Sequence, residues 1–261
     1  MPPSRPLDKL RVLVTGASSG IGAAVSSLLA EHGARVFGTG RDAAALARAP
    51  AAGGGPFEAT LPRDLLEPFA PSAVVEEAVT ALDGLDVVVS NAGSGWLGFF
   101  EQMPAAEIDA LLDINLRAPM HLAHAASPYL RKSVAGGQLV LIGSIAGLVG
   151  VAEEAAYSAA KAGLRGLADS LRAEWASDQV TVTLVSPGPV DTPFYLRRNR
   201  PYTHSWPRPV PVATAARAIV RAIETRREDV VIPAWLALAA RLHGGWPSLY
   251  RALGGRRKQR A

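Results

Sequence analysis

The sequence predicts a doubly wound, parallel α/β sheet with helices on both faces, a three-layer α/β/α arrangement. Three observations carry that expectation. Short apolar runs alternate with longer Ala/Leu-rich stretches from one end of the chain to the other. The apolar runs are near-continuous rather than alternating, as strands buried on both faces should be. No internal repeat and no interdomain linker breaks the pattern, so residues 1–261 are read as a single domain.

Taken in order, residues 10–14, 35–39, 57–61, 85–90, 138–142 and 180–185 read as strands. The third is the least regular, because Pro62 and Arg63 follow it at once. Between the strands, 21–32, 42–48, 72–82, 105–131 and 154–177 read as helices, and 51–56 (A-A-G-G-G-P) as a flexible loop within the domain. Residues 213–227 form an amphipathic helix and 229–232 a last strand. The segment 234–253 is apolar, with Trp235 and Trp246, and opens an apolar and basic C-terminal extension over 234–261.

Composition narrows the function. Hydrophobic residues make up 49% and charged residues 19%, enough apolar material for a large core. With no cysteine, a disulfide framework, a thiolate metal site and a cysteine nucleophile are excluded, and no metal is expected. The N-terminus lacks the apolar core of a signal peptide, and the apolar stretch 230–242 falls short of a membrane span and contains Pro233. A soluble, cytoplasmic protein is expected. The net charge is +4, but residues 251–261 carry five basic side chains and no acid, leaving −1 for the rest. That tail reads first as a solvated terminus, and second as a peripheral contact for anionic lipid or an acidic partner. Basic residues elsewhere form no stripe with interleaved aromatics, so nucleic acid is not an expected partner.

The chemistry concentrates in residues 144–161. Tyr157 and Lys161 stand four apart in an Ala-rich run, so phenol and ammonium project from one helical face. An unperturbed phenol, with a pKa of about 10, is a poor acid or base near neutrality. A cation held beside it favours the phenolate and draws that pKa down. Ser144 follows an apolar run and Gly143, where a buried strand ends, and its hydroxyl can reach the same reacting oxygen as Tyr157. The spacing alone also fits an amphipathic tyrosine beside a solvated lysine.

The first strand runs into Thr15-Gly16-Ala17-Ser18-Ser19-Gly20-Ile21-Gly22 and then a helix. Glycines there let backbone amides approach a phosphate, and the helix N-terminus adds a positive dipole end. The spacing is G-x-x-x-G-x-G rather than G-x-G-x-x-G, and a purely structural turn has the same appearance. After the second strand, Gly40 and Arg41 stand where an acid would bind a ribose 2′-hydroxyl. A guanidinium can fork onto a 2′-phosphate instead, which favours NADP(H) over NAD(H). Ser90-Asn91-Ala92-Gly93 closes the next strand, and Asn115 sits inside the long helix expected over 105–131.

Together these residues resemble the short-chain dehydrogenase/reductase family over roughly residues 9–194. The resemblance implies a Rossmann-type fold, with the turn from Thr15 to Gly22 on the cofactor pyrophosphate. Asn91, Ala92 and Gly93 would line the cofactor, and Asp64 would contact adenine. The catalytic set would be Asn115, Ser144, Tyr157 and Lys161, with Tyr157 and Lys161 also touching the cofactor. Pro187 and Gly188 match a P-G motif, followed by Val190 and Thr192 at the nicotinamide amide. Ser90 replaces an asparagine usual in the family, and the Pro62-Arg63 interruption sets the adenine contact apart from the pattern. The resemblance further implies hydride transfer between nicotinamide and a carbonyl or secondary alcohol, and a homodimer or homotetramer.

The substrate is less legible. Trp96, Leu148 and Phe194 are candidate pocket residues, and 192–210 stands where the family has its substrate lid. Aromatic residues there suit an apolar or ring-bearing substrate, or simply pack the lid onto the body. Carrier-bound 3-oxoacyl chains are the alternative substrate, and a cofactor-sensing protein without catalysis is the alternative class.

Overall fold

The structure, a computed structural model, describes residues 4–49, 57–198, 200, 202, 207–246 and 248. Strand β1 (Arg11–Thr15) leads to helix α1 (Gly20–Glu31), β2 (Arg35–Gly40) to α2 (Ala43–Arg48), and β3 (Ala59–Pro62) to α3 (Ala70–Leu82). Next come β4 (Val87–Ser90), α4 (Ala105–Leu112), α5 (Ala118–Arg131), β5 (Gln138–Ile142), α6 (Ala146–Val149), α7 (Ala155–Glu174) and β6 (Thr181–Pro187). The chain continues through β7 (Val190–Asp191), α8 (Phe194–Arg197), β8 (Val210–Pro211), α9 (Val212–Thr225), β9 (Asp229–Ile232) and α10 (Leu236–Gly245). Seven strands make one sheet in the order β3-β2-β1-β4-β5-β6-β9, every neighbouring pair parallel. The short β7-β8 ladder stands apart from it.

Side chains alternate across the pleat, so each strand feeds two cores at once. Val12 and Val14 face the layer holding Val25 and Leu29 of α1 and Ile219 and Ile223 of α9. Leu13, between them, faces Val74 of α3, Leu122 and Leu130 of α5 and Leu164 of α7. Both faces being covered, every position of β4 and β5 is buried. That is why their sequences read as continuous apolar runs. Each fully buried Leu or Ile contributes roughly 1.5–3 kcal/mol relative to exposure.

The predicted strands all form. Strand β3 ends on Pro62, paired in register with Gly40, and tolerates the missing N–H because β3 is the sheet edge. The helix expected over 105–131 is helical throughout but changes pitch: α4 and α5 are joined by a π-turn at Asp113–Arg117, where the Ala118 N–H bonds back to the Asp113 carbonyl. Pro119 explains it. A proline has no N–H for the carbonyl four residues back, here Asn115, and its ring crowds that oxygen, so the helix widens. Helix α7 stops at Glu174 and continues as a 3-10 turn, Ala176–Asp178, short of the expected residue 177 as α-helix. The apolar segment at 234–253 contributes α10, whereas the loop at 51–56, lid residues 203–206 and the basic tail at 251–261 lie outside the described residues. No described helix is long and apolar enough to cross a membrane.

Candidate active site

The order of strands reverses between β1 and β4, and their carboxyl ends diverge there. A cleft of about 1790 Å³ opens at that place. It runs from the β2-β3 end, across the glycine-rich turn, to the loops after β5 and β6.

Gly16, Ser18, Ser19, Gly20 and Ile21 line its floor. Gly16 turns with φ +66°, and a Cβ there would stand 2.8 Å from Asn91 Nδ2 and 3.0 Å from the Ala92 Cα. Only glycine fits. Ser19 is the N-cap of α1 but makes no side-chain capping bond, so the first-turn amides face the cleft without a protein acceptor from that cap. Thr15 and Gly22 lie behind the cleft wall rather than on it. The fully buried Thr15 Oγ1 accepts from the Asn91 and Ala92 amides, each at 3.0 Å, and so ties the turn to the end of β4. A Cβ on Gly22 would come within 2.3 Å of the Gly16 carbonyl, so Gly22 lets α1 seat against the turn. Asn91 strengthens the tie, its Nδ2 donating to the Thr15 carbonyl at 2.9 Å, and it lines the cleft with Ala92 and Gly93.

At one end stand Arg41, which is exposed, and Asp64, whose Oδ1 accepts from the Leu66 amide at 3.0 Å. At the other, Pro187, Gly188, Val190 and Thr192 form the wall beside β6. The Pro187 carbonyl accepts from Ile145 N at 2.8 Å, and Gly188 N donates to Ile232 at 2.6 Å, which fixes this wall against α6 and β9.

Asn115, Ser144, Tyr157 and Lys161 come together in the middle. Lys161 is buried and its Nζ donates to the Ile142 carbonyl at 2.9 Å, while lying 5.7 Å from the Tyr157 ring centre. Ser144 hydrogen-bonds the Tyr157 side chain and accepts from Ala146 N at 3.1 Å. Asn115 is fully buried in the π-turn. Its Nδ2 donates to Ser94 and Leu111 carbonyls at 2.9 and 3.0 Å, and its Oδ1 has no protein partner. A buried orphan acceptor calls for a donor, of which water is the smallest.

The electrostatics differ from those expected of the Tyr-Lys spacing. Burial holds the Tyr157 phenol above its ordinary range, outweighing the Ser144 hydrogen bond that favours the phenolate. Glu154 adds to the rise and Arg198 opposes it. Burial also pushes Lys161 down, to about 8. Burial thus favours the protonated phenol at Tyr157 and the neutral amine at Lys161.

Over Tyr157 lies α8. The Phe194 ring is 5.9 Å from the Tyr157 ring, and the stack continues through Tyr195 and Tyr202. Gly95 makes room, since a Cβ there would meet Phe194 at 2.6 Å. Two expected pocket residues are elsewhere. Trp96 turns back over Gly98 and packs with Met103, Leu111 and Ala156 behind Tyr157, and Leu148 is off the cleft wall, its neighbour Val149 being on it. An ion pair that the sequence did not reveal closes this end. Arg198 Nη1 meets Glu154 Oε1 with side chains only 5% and 13% exposed, and the guanidinium lies 4.6 Å from the Tyr195 ring centre. The partners are 44 residues apart, and only the fold brings them together. Among the described residues no group of three or more His, Cys, Asp or Glu could hold a metal.

A parallel sheet with a glycine turn at its switch point and a Ser, Tyr and Lys cluster beside it defines a dinucleotide-dependent oxidoreductase. The chain belongs to the short-chain dehydrogenase/reductase family: the family model for short chain dehydrogenases matches residues 10–202. Ketoacyl reductase HetN of Nostoc sp. is 34% identical over 227 residues, covering 85% of this chain and 77% of the relative. An uncharacterized oxidoreductase of Staphylococcus aureus is 33% identical over 71% of this chain and 79% of its own. Among solved structures, a dehydrogenase/reductase from Sinorhizobium meliloti 1021 superposes with a TM-score of 0.73 at 28% identity, covering 87% of this chain and 95% of that one. A short chain dehydrogenase/reductase from Burkholderia phymatum, in complex with NAD, has a TM-score of 0.82 at 21% identity over 98% and 99% of the two chains, a likeness of fold. The family uses a nicotinamide cofactor, and the uncapped α1 N-terminus beside the glycine floor fits its pyrophosphate.

Proposed function

We propose that this protein is an NADP(H)-dependent oxidoreductase of carbonyls and secondary alcohols, with Tyr157 as its acid and base. The observation that carries the reading is the convergence of Ser144, Tyr157, Lys161 and Asn115 on the same cleft as the α1 N-terminus and Arg41. Gly16, Ser18, Ser19, Gly20 and Ile21 would hold the pyrophosphate, with Thr15 and Gly22 shaping the turn from behind. Arg41 would take the 2′-phosphate, Asp64 the adenine, Asn91, Ala92 and Gly93 the central ribose region, and Pro187, Gly188, Val190 and Thr192 the nicotinamide amide.

A bound nicotinamide supplies or accepts the hydride at the carbonyl carbon. In the reducing direction the Tyr157 hydroxyl gives its proton to the carbonyl oxygen as charge develops there, and Ser144 holds that oxygen. Burial makes the free phenol a weaker acid, so the Ser144 hydrogen bond and the Lys161 charge would have to favour the phenolate as the proton leaves. Lys161 offers its remaining N–H groups to the cofactor ribose and its charge to the forming phenolate. Asn115 holds a water on its unpartnered Oδ1, from which Lys161 and then Tyr157 recover a proton. Tyr157→Phe should lower kcat at least a thousandfold while NADPH binding changes less than about threefold. A fully active variant would refute the proposal.

The substrate is read as apolar or ring-bearing, because Phe194, Tyr195 and Tyr202 wall that end of the cleft. A 3-oxoacyl chain on a carrier is the second reading, favoured by the likeness to a ketoacyl reductase. Inhibition by excess free carrier protein separates the two. We further infer that the chain is one domain, with 192–210 as a lid and 234–261 as an extension, that acts as a homodimer or homotetramer in the cytoplasm.

A further inference from the structure

Pro62 and Arg63 interrupt the sequence just where β3 meets the cleft, and the reading above gives Arg63 no task. The sheet gives it one. Strands β2 and β3 are parallel neighbours with Gly40 in register with Pro62, so Arg41 and Arg63 leave adjacent strand ends side by side. The Arg63 amide donates to the Gly40 carbonyl at 3.0 Å, which pins the two ends together. Both residues line the same end of the cleft.

The acids nearby are already engaged. Asp42 caps α2 through the Ala45 amide at 2.9 Å, and Asp64 accepts from the Leu66 amide at 3.0 Å. Glu67 meets Arg63, but only at Nη1, through a solvent-exposed pair 2.9 Å long. The Arg63 Nε is buried and has no partner, and the Nε edge of a guanidinium is one of its two faces for a forked bond to an oxyanion. Arg41 makes no ion pair with any described residue. Ser18 adds a hydroxyl, its Oγ lying 3.0 Å from where a Gly40 Cβ would stand.

We propose that Arg63 is a second determinant of dinucleotide choice, closing with Arg41 on the 2′-phosphate of NADP(H) as its part-exposed side chain turns the unpartnered Nε edge to the cleft. The inference rests on the NADP(H) reading above and goes beyond it, since it moves half of the recognition from β2 to β3. It gives Pro62 a purpose too. The proline at the edge-strand end fixes the backbone that launches Arg63 toward Arg41.

The test is a fluorescence titration of NADPH and of NADH on the full chain, comparing wild type with Arg41→Ala, Arg63→Ala, Arg63→Gln and the Arg41→Ala, Arg63→Ala pair. Each single loss of a charged fork should weaken NADPH about tenfold or more and leave NADH within about twofold. The pair should bind both dinucleotides alike. NADH binding doubles as the folding control, and the glutamine variant keeps the question answerable if alanine unfolds the edge. If Arg41→Ala erases the NADPH preference while both Arg63 variants keep it, the inference fails and the NADP(H) reading stands. Equal loss of both dinucleotides in the Arg63 variants also overturns it. A wild type with no NADPH preference removes the reading and the inference together.

Discussion

Lys161 is a buried ammonium whose nearest acceptor is a neutral carbonyl, that of Ile142. Burial places its pKa at about 8, below the free-lysine value, so it is charged at neutral pH and loses its charge as pH rises through 8. The sign is fixed: support for a forming phenolate is present below that value and absent above it. We expect kcat/KM for NADPH, which reports the free enzyme, to fall about tenfold per pH unit above pH 8. A profile flat from pH 7 to 9.5 would contradict this. Asp86, far from the cleft, shows the opposite sign. Burial would raise its pKa, yet bonds from Arg11 and Ser133 hold it below the ordinary carboxylate range. Arg11 donates to it from its amide, Nε and Nη2 at 3.0, 2.9 and 2.7 Å, tying β1 to the start of β4. Its contribution is present above the unfolded pKa of about 3.9 and is lost as pH falls through the lower folded value. Asp86→Asn should cost roughly 1–3 kcal/mol in denaturant unfolding, because it removes the buried carboxylate to which the part-exposed Arg11 is bonded, while the Asp83 carbonyl still holds that guanidinium.

Among the elements, two carry the site, and they were legible to different degrees. Helix α7 was plain in the sequence, since an Ala-rich run with Tyr and Lys four apart forms a helix and presents both on one face. The π-turn at Asp113–Arg117 was not foreseen, although Asn115 and Pro119 stand four apart, the spacing at which a proline disturbs a helix. Without it Asn115 would sit in an ordinary turn; with it the buried amide points its Oδ1 at no protein donor. The lid shows what sequence cannot carry. Phe194 was a fair candidate from position alone, whereas Trp96 looked equally aromatic and turned away, because the chain bends at Gly98 and folds the indole back. The Arg198–Glu154 pair latches α8 over Tyr157. Removing either charge takes the counter-ion from a largely buried partner, which should cost roughly 1–3 kcal/mol of lid closure. Arg198→Met and Glu154→Gln should therefore speed amide exchange over 193–198 at least tenfold. The Glu154→Arg, Arg198→Glu exchange should recover much of the protection. Unaltered exchange in both single variants would show that the stacked rings alone hold the lid.

For the molecule as a whole, the alternation of apolar runs and helices was enough to place all seven strands, because both faces of the sheet are covered and the central runs of β4 and β5 are buried throughout, the edge strands β3 and β9 only in part. What the runs do not encode is which strand ends become neighbours. Arg41 and Arg63 are 22 residues apart in the chain and one strand apart in space, and that distance collapses only with the β3-β2-β1-β4 order. The same order has a consequence for how such a protein changes over generations. Everything proposed to choose the reductant lies on one side of the crossover, between residues 15 and 67, and everything proposed to choose the oxidant lies on the other, between 94 and 210. A lineage can therefore change its fuel without changing its cargo. A chimera that borrows only the first segment from an NAD(H)-using relative should inherit that relative's cofactor and keep this protein's substrate.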